Sequence, residues 1–215
     1  MNERQLELRN EIVAVSRALD DAGLVPSKSG NVSCRVAGGF LITPSGVPYQ
    51  QLQPGQVVAL DASGAVVQGG LRPSSEWPMH AAIYAHRPEV AAIVHTHSPR
   101  ATALACAQLG IPAFHYMIAL AGGAIRCMPY ATFGTDELAG NAVCGLEGRR
   151  AVLLANHGVV AVGASLRDAH AVAFEVENLA SQYLDLKSAG LDPVVLDDAE
   201  LARVIAKFAD YGRLG

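Results

Sequence analysis

Apolar residues recur at helical spacing near the N-terminus, at Leu6, Ile12, Val13 and Leu19, and the pattern stops at Gly23, which predicts an amphipathic helix over residues 3–22. The period then shortens to two. Residues 32–36, 40–43, 57–61 and 65–68 are brief β-branched runs divided by Gly38-Gly39, Pro44-Ser45-Gly46 and Ser63-Gly64, the punctuation of hairpins in a sheet. Helices return where Ser75 precedes Glu76-Trp77-Pro78 and where Ser98 precedes Pro99. In both places the serine hydroxyl is expected to cap free N–H groups while proline fills the first turn. Residues 91–95 lie between them as a strand, and 151–155 and 159–162 read as two more around Asn156-His157-Gly158. Ser165-Leu166-Arg167-Asp168 opens a long helix ending near Gly190, and a last helix runs over about 198–209. Strands grouped early and then mixed with helices predict an α/β chain of the α+β type, a mixed or antiparallel sheet covered by helices.

Composition narrows the classes. The 215 residues are 51% hydrophobic and 17% charged, enough to bury one sizeable core and too apolar for a disordered chain. No Pro/Ser-rich linker or charge run divides them, so residues 1–215 are expected to form a single domain. With 16 Lys+Arg against 20 Asp+Glu the chain offers no basic stripe, which argues against nucleic acid as a partner, and the low charge content suggests surface buried between subunits. Charges near the N-terminus stand where a secretory signal needs an apolar run, so a cytoplasmic location is expected. Residues 101–125 carry no Asp, Glu, Lys or Arg and are long enough to cross a bilayer. Gln108, Gly110-Ile111-Pro112, His115 and Gly122-Gly123 argue against a spanning helix and a membrane partner. The four cysteines lack metal-knuckle spacing and are expected to be free and mostly buried thiols.

The chemistry concentrates in a few short motifs. In His95-Thr96-His97, at the end of an apolar strand, both imidazoles leave one face of the sheet because side chains alternate. That is a ligand spacing, although ordinary surface histidines produce it about as often. His157 follows another apolar strand, and three neutral imidazoles on Zn²⁺ leave the open fourth position that a catalytic site requires. Ser74-Ser75-Glu76 stands at a helix start, where N–H groups and the dipole attract anions. Thr43-Pro44-Ser45-Gly46 and Ser29-Gly30-Asn31-Val32-Ser33 are loops of hydroxyls, amides and glycine suited to phosphate, and equally to ordinary turns. His80, His86, His115 and His170 read as packing or surface residues, and Trp77 as core.

Taken together, Gly30-Asn31-Val32-Ser33, Leu41-Ile42-Thr43-Pro44-Ser45-Gly46, Pro73-Ser74-Ser75-Glu76-Trp77, His95-Thr96-His97, residues 111–118 around His115-Tyr116, residues 129–135 and Asn156-His157-Gly158 make the chain resemble the class II aldolase/adducin family. The likeness is strongest to its zinc-dependent L-fuculose-1-phosphate aldolase branch and runs almost end to end. It implies three layers, with a mixed, largely antiparallel central sheet and helices on both faces. It implies a metal-dependent enzyme, a class II aldehyde-lyase, that reversibly cleaves a ketose 1-phosphate to dihydroxyacetone phosphate and an aldehyde through a zinc-chelated enediolate. By the resemblance His95, His97 and His157 are the ligands of one Zn²⁺, or another divalent metal, per subunit. Glu76 is the catalytic acid/base that also approaches the metal, and Asn31, Ser45, Gly46, Ser74 and Ser75 hold the phosphate. Tyr116 protonates the aldehyde oxygen in the adjacent subunit of a homotetramer, while Phe133 and Tyr211 line the aldehyde pocket. Lys28 stands where the family usually has threonine, either as a further phosphate contact or as a solvated loop residue. The same site type serves epimerases and acid-sugar phosphate decarboxylases, and adducin-like members use the fold as an interaction domain without chemistry.

Overall fold

The computed structural model describes residues 3–210. Strands β1 (Asn31–Val36), β2 (Gly39–Ile42), β3 (Val58–Asp61), β4 (Val66–Gln68), β5 (Ala92–Thr96), β6 (Arg126–Met128), β7 (Ala151–Leu154) and β8 (Gly158–Gly163) form one eight-stranded sheet in the order β4-β3-β2-β1-β5-β8-β7-β6. Every pairing is antiparallel except β6 with β7. The expected strands are present, with ends shifted by a residue or so, whereas β6 was not anticipated.

Alternation along the strands divides the core between the two faces. Val32, Cys34, Leu41, Val94, Leu153 and Ala161 pack against helices α1 (Glu3–Asp21), α3 (Pro99–Cys106) and α5 (Leu166–Ser188). Phe40, Ile42, Ile93, Val152, Val160 and Val162 pack against α2 (Trp77–His86) and α4 (Asp136–Gly145). This is the expected three-layer arrangement. A sixth helix, α6 (Asp198–Asp210), packs against a 3-10 turn at Tyr116–Ala121. Among the described residues no helix is long and apolar enough to cross a membrane, and residues 107–125 run as turns, an isolated bridge between Ile111 and Ile125 and that 3-10 turn.

The expected caps differ in part. Ser165 accepts from the Asp168 amide at 3.1 Å, as read from the sequence. Neither Ser75 nor Ser98 caps its helix, however. Glu76 holds the N-cap position of α2, and its own amide donates to Ser74 Oγ at 3.3 Å. At α3 the first amides, of Arg100 and Ala101, each donate at 2.9 Å to a carboxylate oxygen of Glu177 on α5. An ionised acceptor from a neighbouring helix displaces the local hydroxyl because charge-assisted bonds at a positive helix end are stronger. The cysteines are free, but only Cys34 is buried; Cys106 and Cys144 are exposed because they lie on the outer sides of α3 and α4. Trp77 is half-buried at the start of α2, packed on the second core beside Gly64.

Candidate active site

The site lies where β1, β5 and the β7–β8 turn end beside the start of α2. Asn31 stands opposite His95 in the β1–β5 register, and His95 opposite Val160 in β5–β8. His95 shares the sheet face of Ile93, and His97, two residues on, returns to it. His157 reaches the same point from the turn between β7 and β8, where Asn156 adopts a left-handed backbone at φ 55°. Close approach here requires glycine. A Cβ on Gly158 would sit 2.4 Å from the Thr96 carbonyl oxygen, and one on Gly30, at φ 108°, would sit 2.6 Å from that of His95.

The three imidazoles converge edge to face, with ring centroids 4.8–4.9 Å apart in each pair. His95 Nδ1 donates to the Val159 carbonyl at 2.8 Å. Because a carbonyl only accepts, that bond fixes the ring and turns Nε2 to the centre, 3.0 Å from His97 Nε2. The Glu76 carboxylate closes the group, one oxygen 3.2 Å from His95 Nε2 and the other 3.1 Å from His157 Nε2. All four donor atoms lie within 4.8 Å of one another. Three imidazole nitrogens and one carboxylate, with His95 oriented by the Val159 carbonyl behind it, suit a divalent ion of the zinc type. The buried Glu76 Oε1 has no other partner than the His157 ring nitrogen at 3.1 Å and faces the same centre.

Electrostatics follow from this crowding. Burial by itself raises the Glu76 carboxyl, but His95 and His157 outweigh it and hold it below the usual carboxylate range. Burial lowers His95, yet the adjacent Glu76 carboxylate more than compensates and raises it. His97 is pushed down to about 3 by burial and by its two neighbouring imidazoles.

Above the cluster opens a cavity of about 390 Å³ walled by the small-residue loops: Lys28, Asn31, Ser45, Gly46, Ser74 and Ser75 all line it, with Glu76, His97, His157 and Phe133. Ser27 and Lys28 are consecutive left-handed residues, φ 58° and 63°, in the loop that carries Lys28 to this wall. Ser45 Oγ donates to the Pro73 carbonyl at 2.9 Å and so ties two of the loops together. The Asn31 carboxamide is largely committed, donating to Glu76 Oε2 at 2.9 Å and facing His80 Nε2 through its oxygen at 2.5 Å. Tyr116 is elsewhere in the protomer: half-exposed, it lies between His115 and Phe208 and lines a separate groove beside α6. Tyr211 lies outside the described residues.

Several cavity residues were not assigned to the site from the sequence, Val47 and Tyr49 among them. Asn156 borders the cavity from its left-handed turn, Tyr130 joins Phe133 at the aromatic side, and Ala131 sits between them. Tyr49 donates to the Gly30 carbonyl at 2.7 Å and props the first loop. His80 is wholly buried and hydrogen-bonded to Asn31 and Ser33 rather than aimed at the histidine–glutamate cluster, which agrees with its reading as a non-ligand. His115 caps the 3-10 turn by accepting from the Met117 amide, and His86 bonds the Ala82 carbonyl on the surface.

Comparison with known proteins agrees with this geometry. Residues 10–184 match the family described as Class II Aldolase and Adducin N-terminal domain. The chain is 46% identical over 209 residues to a 5-methylthioribulose-1-phosphate/5-deoxyribulose-1-phosphate aldolase of Rhodospirillum rubrum, covering 97% of this chain and 94% of that one. It is 44% identical to an L-fuculose phosphate aldolase of Escherichia coli, covering 96% of each. A solved L-fuculose 1-phosphate aldolase superposes with a TM-score of 0.91 at 41% identity, over 94% of this chain and 96% of that one. The chain belongs to the class II aldolase and adducin family, on its aldolase side, and is a lyase.

Proposed function

We propose that this enzyme is a zinc-dependent aldolase that reversibly cleaves a ketose 1-phosphate, L-fuculose 1-phosphate or a 5-deoxy or 5-methylthio ribulose 1-phosphate, into dihydroxyacetone phosphate and an aldehyde. The observation that carries the reading is the convergence of His95, His97, His157 and Glu76 at the floor of a cavity walled by Lys28, Ser45, Gly46, Ser74 and Ser75. His95, His97 and His157 would hold a divalent ion, which would supply Lewis acidity toward the substrate. The loops and the positive end of α2 bind the phosphate, and that remote binding energy orients the bond to be broken.

Cleavage breaks the C3–C4 bond. The C4 hydroxyl gives up its proton as its oxygen becomes the aldehyde carbonyl, the bonding pair stays with C3, and C3 then takes a proton. In condensation Glu76, one edge against His95 and His157, is the base that removes this proton, and in cleavage it returns a proton that it has first taken from solvent. Tyr116 of the partner subunit takes the hydroxyl proton and returns it in the reverse direction; its exposure outside its own cavity supports that assignment. Phe133 and Tyr130 face the aldehyde end, where an aromatic wall suits methyl or methylthio substituents. Tyr211 would extend that wall. The reading takes residues 1–215 as one domain, assembled as a cytoplasmic homotetramer.

The test offers zinc-loaded protein the fuculose, rhamnulose, ribulose, 5-deoxyribulose and methylthioribulose 1-phosphates and measures dihydroxyacetone phosphate release. Glu76→Gln should abolish release, and the order of kcat/KM names the aldehyde. Bound metal without cleavage of any of the five overturns the aldolase reading.

A further inference from the structure

Behind Glu76 runs a buried line of polar groups: Asn31, which also borders the cavity, and Ser33 on β1, and His80 and Tyr84 on α2. Asn31 lies 2.9 Å from Glu76, His80 Nε2 is 2.5 Å from Asn31 Oδ1, Ser33 Oγ is 2.6 Å from His80 Nδ1, and Tyr84 Oη is 2.8 Å from Ser33 Oγ. Ser33 and His80 are wholly buried, so each link must be made with the correct partner sense or an unsatisfied group is left behind.

The sense of every bond follows from one end. A carboxylate only accepts, so Asn31 must turn its NH₂ toward Glu76 and its oxygen toward His80. His80 Nε2 must therefore carry the hydrogen, which leaves Nδ1 bare. Ser33 then donates to Nδ1 and accepts from Tyr84. Resting on the reading of Glu76 as the acid/base, we propose that His80 is the positioning residue for Glu76: as a neutral Nε2–H ring it locks the Asn31 carboxamide in the one orientation that holds the Glu76 carboxylate in place. Removing the ring donor leaves Asn31 Oδ1 buried without its partner, so the carboxamide is held from one side only and no longer fixes the position of the Glu76 carboxylate. The effect falls chiefly on the reacting proton, because Asn31 is the one phosphate-loop residue in the line and Ser45, Gly46 and Ser74 have no part in it.

Two measurements separate this proposal from the aldolase reading. The first needs no substrate: ¹⁵N spectra of histidine-labelled, zinc-loaded protein at pH 7 should show His80 with hydrogen on Nε2 and none on Nδ1. A ring with hydrogen on Nδ1, or a charged ring, overturns the proposal whatever the enzyme cleaves. The second uses whichever of the five ketose 1-phosphates the wild type cleaves best. His80→Phe should lower kcat about 10- to 100-fold, with KM within about twofold and metal content unchanged, since a misplaced acid loses much of its catalytic contribution. His80→Gln, whose amide N–H replaces the ring donor, should recover most of that loss. Equal loss in both variants, full kcat in His80→Phe, or a change confined to KM overturns it. Should the Phe variant not fold, Ser33→Ala carries the test with an expected loss of several-fold in kcat, and wild-type kcat there also overturns the proposal. Absence of cleavage by the wild type sinks the aldolase reading alone, and the ring spectrum still decides the role of His80.

Discussion

Acid should destabilise the metal-free protein through His80, by an amount the structure allows to be worked out. The ring is wholly buried, and burial, reinforced by His95 and only partly offset by Glu76, pulls it from 6.5 down to about 3. In the unfolded chain the same ring protonates near 6.5. Between those values the unfolded state binds a proton that the folded state refuses, so stability rises with pH there and falls on acidification. The contribution is complete above about 6.5 and is lost progressively down to about 3. From pH 7 to pH 5 the linkage amounts to about 2 kcal/mol for this one group. Urea unfolding in chelator, followed by the single tryptophan, Trp77 on the same helix, measures it. Chelator is needed because acid also strips a metal from imidazoles. His80→Gln should remove about 2 kcal/mol of the pH dependence while leaving the part due to His97 in both proteins. Identical pH dependence in wild type and variant would refute the assignment of His80 as a buried neutral ring.

Three further outcomes are expected. Glu177→Ala removes both acceptors at the start of α3 and should cost about 1 kcal/mol in urea unfolding at pH 7, with little effect on metal content. Gly158→Ala forces a methyl to 2.4 Å from the Thr96 carbonyl, so it should destabilise by about 1–3 kcal/mol and weaken zinc binding in calorimetry by spreading His97 and His157 apart. Inactive Glu76→Gln and Tyr116→Phe proteins, unfolded together and refolded as a mixture, should regain a fraction of wild-type activity, since some cavities then pair an intact Glu76 with an intact Tyr116 of the partner subunit; no recovery would place both residues in one protomer's site.

Much of this arrangement was legible because local signals and the global fold agree. Strict alternation in residues 92–96 placed His95 on one face, and His97 followed it by the same rule. A sheet covered by helices was legible in the pattern, while the three layers were implied by the family resemblance; in the structure each central strand carries one apolar set for each helical layer. The signals that failed were of two kinds. Strand β6 is three residues long and partly exposed, so its one parallel pairing with β7 leaves no period to read. Helix α4 was not anticipated although Thr135 caps it by accepting from the Leu138 amide, with Asp136 and Glu137 in the first turn; it is ten residues long, and Gly140 and Gly145 weaken its helical pattern. Competition is the other kind. Ser98 is a sound N-cap by sequence, but a carboxylate 79 positions away in the chain took its place, and no local pattern announces Glu177.

The least legible feature is the face of β1 that looks at α2. Asn31, Ser33 and Arg35 alternate with Val32, Cys34 and Val36, the pattern of a strand with one face in water. In the fold that polar face lies against a helix. Arg35 donates to the Tyr84, Arg87 and Val90 carbonyls at 2.8–3.0 Å, Ser33 joins His80 and Tyr84, and Asn31 joins His80 and Glu76. The matching signal was present in the other segment: His80 and Tyr84 are four residues apart, on the inward side of α2 with Met79 and Ile83. A pattern of polar residues states that partners are required, and only the topology states whether water or another chain segment provides them. An apolar interface at this place would contribute more to stability at less risk, because each buried hydroxyl, amide and imidazole gains only about 1 kcal/mol net when paired and costs more when left unpaired. A packed hydrocarbon face exerts no directional hold on a carboxylate, whereas a line of bonds with one permitted sense does. The polar stripe of β1 ends at Glu76; if Glu76 is the proposed acid/base, that endpoint accounts for a buried polar face where folding alone would favour leucine and valine.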